Sequence, residues 1–173
     1  MSTILNIETR VILLVVATVL TGLSAGLCFT WTNAVTTGIA RLTDTAYLQA
    51  FQQMNRTIIN PTFALVFIGP VFLIPLTAYQ YSNAGSKVLL LLEVAAILYV
   101  IGVAMVTMFG NVPLNEMLDK LDLTTISAED AKAFRTQFEA KWNSFHLVRT
   151  ITSFISLTLL VITCLVSKSG VTL

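Results

Sequence analysis

"VLLLLEVAAILYVIGVAMVTMFGNVPLNEML" occupies residues 88–118. Its first part, residues 88–109, carries one charge, Glu93. About 20 apolar residues in a helix cross a hydrocarbon core of roughly 30 Å. The segment therefore predicts a membrane-spanning helix. It ends on Asn111, Pro113 and Asn115 where a simple charged stop would suffice. Val112 precedes proline, which disfavours α geometry. A break or kink is expected there, with Asn111 capping the next helix. Asn115 lies about one turn further on and is expected to face the same way.

The rest of the chain repeats the pattern. Of 173 residues, 55% are hydrophobic and only 11% are charged, and mean hydropathy is +0.82. A soluble domain of this size carries about a quarter charged residues. Charge-free windows run from Arg10 to Arg41, Arg56 to Lys87 and Arg149 to Lys168. Residues 1–173 are thus read as one transmembrane domain, with spans at 11–30, 62–79, 88–109 and 150–166. The first apolar stretch is longer than the core of a signal peptide. In "AGLC", Leu27 stands where a lipoprotein cleavage box needs a small residue. Gly22 and Gly26 form a GxxxG pair that permits close helix approach.

Two connections are more than loops. Residues 43–60 space Tyr47, Leu48, Phe51, Met54, Ile58 and Ile59 as an amphipathic helix does, with Thr43 or Thr45 as a start. Asn60-Pro61 then turns the chain into the second span. Residues 112–149 form the other extension. Ser127 suits a helix N-cap, with acids in the first turn. Ala131, Phe134, Phe138, Trp142, Phe145 and Val148 continue a stripe without Pro or Gly, so one helix is expected over 128–167. The fold class is all-α: an integral membrane four-helix bundle, with two helical extensions packing as a cap on one side. The extension side holds more cations, which places it in the cytoplasm. The expected location is multi-pass in a plasma or inner membrane.

Polar residues gather at the extension-side rim: Asn33, Asn55, Asn60, Asn111, Asn115, His146 and Arg149, with Trp142 on the face of His146. Singly they read as caps and interfacial anchors. Together they predict a ligand pocket between helices. If it is catalytic, His146 is the natural general base. Arg149 would hold a developing phenolate or enolate. Asn111, Asn115, Asn55, Asn60 and Asn33 would bind substrate, and Trp142, Phe138 and Phe145 would stack on a flat ring. Cys28 and Cys164 fall on opposite membrane sides, too far apart to bridge. One histidine and no cysteine pair make a zinc site improbable. Glu93 lies about 9 Å into its span, away from this rim, and intramembrane carboxylates are functional suspects.

"NVPLNEML" closing the third span and W-x-x-x-H-x-x-R-T (Trp142, His146, Arg149, Thr150) opening the fourth resemble the anthrone-oxygenase-like family. The resemblance covers residues 21–165. It implies a small four-span membrane protein. It also implies oxidation of an anthrone or other hydrophobic aromatic by molecular oxygen, with no cofactor and no metal. Membrane lipids are expected partners; nucleic acid is not, and the oligomeric state is open. Two other readings stand beside it: a non-catalytic protein that binds lipid or a protein partner, and a small transporter built around Glu93.

Overall fold

The computed structural model describes the backbone of residues 2–169 and the side chains of residues 9–167. The side chain of Lys168 lies outside the described residues. Among them the chain is all-helical, with no strand. Helix α1 (Ser2–Thr30) runs through a π-helical turn, Trp31–Val35, into α2 (Thr36–Ile39). The amphipathic extension is α3 (Asp44–Ile58), followed by α4 (Pro61–Gln80) and α5 (Ser86–Tyr99). Two π segments, Val100–Met105 and Thr107–Asn111, join α5 to α6 (Val112–Asp119). One unbroken helix, α7 (Ala128–Ser169), completes the chain. Four continuous helices are long and apolar enough to cross a membrane: Thr9–Ile39, Pro61–Gln80, Ser86–Asp119 and Ala128–Ser167. The protein is a multi-pass membrane protein.

The spanning helices form a ring in which α1 touches α4 and α7, and α5 touches the same two. Lipid removes the hydrophobic drive between spans, so close packing and interhelical hydrogen bonds must hold them. The Tyr99 hydroxyl lies 2.7 Å from Ser24 Oγ and 3.0 Å from the Phe67 carbonyl, tying α5 to α1 and α4. Ser156 Oγ donates to the Ala95 carbonyl at 2.9 Å, tying α7 to α5. Only Gly22 of the GxxxG pair meets a neighbour, Leu157; Gly26 faces open space. The tighter approach is at Gly102, where a Cβ would sit 2.6 Å from the Thr152 Cβ. Gly102→Ala is expected to cost about 1–3 kcal/mol by overpacking, read as a lower unfolding temperature in detergent.

The cap has its own core of Tyr47, Leu48, Phe51, Leu118, Leu123, Ala131, Phe138 and Trp142. It is separate from the bundle core around Leu14, Phe67, Ile74, Leu92 and Tyr99. Arg135 staples the cap's edge. Its guanidinium reaches Asp44 at 3.0 Å, the Ala40 carbonyl at 2.7 Å and Glu139 at 2.9 Å, and lies 4.3 Å above the Tyr47 ring. Burial, reinforced by Glu139, pushes the Tyr47 phenol pKa up and keeps it neutral. Gln52 Nε2 donates to the Leu118 carbonyl at 3.0 Å, closing the end of α6 against α3. Ser127 caps α7 as expected: the Asp130 amide donates to its Oγ at 3.1 Å. Thr43 holds the N-cap position of α3 without a side-chain bond.

The expected break at Pro113 does not occur. Asn111 and Val112 keep right-handed helical angles, and the chain passes Pro113 through a π turn. In a regular α-helix the proline ring clashes with the carbonyl four residues back. The wider i→i+5 turn carries the helix past that clash. Asn111 consequently caps nothing, and its side chain is free to point inward.

Candidate functional site

A cavity of about 300 Å³ lies at the seam between bundle and cap. Every long segment supplies part of its wall. The first span gives Leu27, Cys28 and Trp31; α3 gives Asn55, Arg56 and Ile58; α4 gives Phe63 and Phe67. Thr107, Val112, Asn115, Glu116 and Asp119 line the other side, and α7 adds Trp142, His146 and Arg149.

Trp142 is the hinge of the arrangement. Its indole N–H donates to Asn115 Oδ1 at 2.8 Å, and its carbonyl accepts from Asn111 Nδ2 at 3.1 Å. The two asparagines around Pro113 therefore grip one tryptophan by side chain and backbone. Trp142 stacks on His146 with centroids 4.8 Å apart, and meets Phe51 edge-on at 4.8 Å. It belongs to the cap core and lines the cavity at once.

His146 and Arg149 sit three apart on α7, so they share a face. An Arg149 terminal nitrogen lies 2.6 Å from His146 Nδ1, and His146 Nε2 lies 3.1 Å from the Cys28 carbonyl. Arginine only donates and a carbonyl only accepts. Nε2 therefore carries the proton and Nδ1 offers its lone pair to Arg149: the imidazole is neutral. Arg149 also donates to Thr107 Oγ1 at 3.0 Å and lies 5.4 Å from the Trp142 ring centre. Thr107 and Cys28 lie in or just ahead of π turns, a feature that recurs at functional sites.

The residues anticipated at the rim separate into groups. His146, Arg149, Trp142, Asn115 and Asn55 line the cavity. Asn111 is 1% exposed and stands behind the wall, positioning Trp142. Asn33 and Asn60 are not in it. Asn33 is exposed on the π turn, rotated away from the bundle. Asn60 caps α4, accepting from the Phe63 amide at 2.9 Å, because a pre-proline residue is extended and suited to that position. Asn60→Ala is expected to cost about 1 kcal/mol of stability and to leave ligand affinity unchanged by titration. Phe138 is buried in the cap core, and Phe145 packs outside against Gly110. The aromatic walls are Trp31, Phe63, Phe67 and Trp142 instead. Cys28, Trp31 and Thr107 were not anticipated, since each reads as an ordinary span residue. Glu93 is exposed on the outer face and is not part of the cavity. Among the described residues no group of three or more His, Cys, Asp or Glu side chains is arranged to hold a metal ion.

A family model described as anthrone oxygenase matches residues 63–159, more than half of the chain. The match takes in Asn111, Asn115, Trp142, His146 and Arg149, and leaves out Cys28, Trp31 and Asn55. No curated protein and no solved structure matches. With the matched stretch carrying His146, Arg149 and Asn115 of the cavity wall, the chain belongs to the anthrone oxygenase family.

Proposed function

We propose that the protein oxygenates a hydrophobic anthrone-type or quinone-like compound in the seam cavity, with molecular oxygen as oxidant. One observation carries this reading: the family-matched His146, Arg149, Asn115 and Trp142 meet in one largely apolar cavity. An anthrone methylene becomes acidic because its carbanion delocalises onto the carbonyl oxygen across the ring. Arg149 holds that oxyanion, and His146 Nδ1 takes the C–H proton. The carbanion then gives its electrons to O2 as a C–O bond forms. The peroxide anion takes the proton back from His146, and loss of water from the resulting hydroperoxide leaves the new carbonyl. No cofactor is required by this scheme.

In the structure an Arg149 N–H donates to the His146 Nδ1 lone pair at 2.6 Å. A substrate oxygen that draws Arg149 toward itself frees Nδ1 in the same movement. The base is thus unmasked by the group it must act beside.

The test is oxygen uptake by the purified protein in lipid nanodiscs with a panel of anthrones. Protein-dependent uptake, matched by anthraquinone absorbance, is the expected result. Rates no greater than spontaneous oxidation across the panel would contradict it. A non-catalytic lipid-binding reading has one observation in its favour, that both His146 ring nitrogens are already bonded. It predicts saturable binding with no uptake.

A further inference from the structure

Arg149 is 8% exposed, yet among the described residues no carboxylate lies within 4.0 Å of it. Its partners are a hydroxyl, a neutral imidazole and an aromatic face, and its Nε has no hydrogen-bond partner. Buried charges are otherwise paired, because removing an ion from water is costly. The cavity's acids, Glu116 and Asp119, sit exposed at its mouth, and Asp119 is taken by Arg56 at 2.6 Å.

The exposed part of the cavity lining is of two kinds. Ile59 is 81% exposed and Val112 38% exposed, and both line the cavity. Arg56, Glu116 and Asp119, all exposed, line it as well. An opening that combines exposed apolar and exposed charged residues suits an amphiphile at headgroup depth.

We propose that the cavity binds a membrane-dissolved monoanion, one oxyanion on a flat apolar body, that enters between the α3–α4 junction and α6 and pairs with Arg149. This deepens the oxygenase reading and rests on it for the flat body; the pairing with Arg149 stands on geometry alone.

The test is anaerobic calorimetric titration in nanodiscs. The probes are anthraquinone-2-carboxylate, its methyl ester, and dodecanoate. The carboxylate is expected to bind about tenfold or more tighter than its ester, as one charge-assisted hydrogen bond gives, and tighter than dodecanoate. R149Q should erase the gap between acid and ester, and R149K should keep part of it. Equal binding of acid and ester by the wild-type protein overturns the proposal even if R149Q fails to fold. Tighter binding of dodecanoate overturns the flat body. These probes cannot be oxygenated as anthrones are. Failure of turnover with anion preference intact would therefore sink the oxygenase reading alone.

Discussion

His146→Ala lowers anthrone-dependent oxygen uptake by about 10²–10⁴-fold, the usual contribution of a positioned general base. The alanine also removes the Nε2 bond to the Cys28 carbonyl, which joins α7 to α1. A loss of rate could then reflect a loosened cavity. His146→Gln separates the two roles. Its amide supplies a donor toward the Cys28 carbonyl but cannot accept a proton at neutral pH. His146→Gln is expected to fold and bind ligand while uptake stays near the alanine level. Arg149→Ala is expected to depress uptake comparably, since it removes the group that holds the oxyanion. The effects should not add, because each residue acts through the other. Uptake that survives in both single variants would remove this mechanism.

Trp142→Ala has the largest expected effect on stability, about 3–5 kcal/mol for deleting a buried tryptophan. Trp142 is 4% exposed and joins three systems. It packs into the cap core against Phe51 and Trp31, stacks on His146, and bonds Asn115. Its loss falls on the cap more than on the bundle, whose core is a separate cluster. Hydrogen exchange should show α3 amides losing protection while those of α4 and α5 keep theirs. Trp142→Phe retains most of the packing and strands the Asn115 acceptor. It should cost about 1–3 kcal/mol. Uniform loss of protection across all helices would show that cap and bundle unfold as one unit.

The fold was largely legible because membrane physics writes it in one dimension. The missing charges between Arg10 and Arg41 or Arg56 and Lys87 mark spans without any contact information. The spacing of Tyr47, Leu48 and Phe51 marked the cap helix, whose buried face they form. The pair His146 and Arg149 was legible for the same reason: α7 is regular, so three residues apart means one face.

The asparagines were harder, since chain position gives depth in the membrane and not direction around a helix. Asn33 and Asn60 reach the right level and point elsewhere. The π turns at Trp31–Val35 and Thr107–Asn111 rotate the facing of the residues beyond them, so a regular helical wheel misplaces Asn111 and overlooks Thr107. Nothing in local propensity announces a π turn. Gly102 and Gly110 are a partial signal, for each sits where α7 leaves no room for a Cβ. Gly22 and Gly26 match a known motif, yet only Gly22 meets a neighbouring helix.

The protein has two tryptophans, Trp31 and Trp142, from helices far apart in the sequence, and both line the cavity. Titrating Trp31→Phe and Trp142→Phe, each then with a single tryptophan, with anthraquinone-2-carboxylate places the ligand directly. One cavity at the seam predicts saturable quenching of both fluorophores, at the same ligand concentration once each variant's affinity is checked by calorimetry. Quenching of only one tryptophan, or a linear rise without saturation in both, would mean that the ligand dissolves around the bundle and that the seam holds no site.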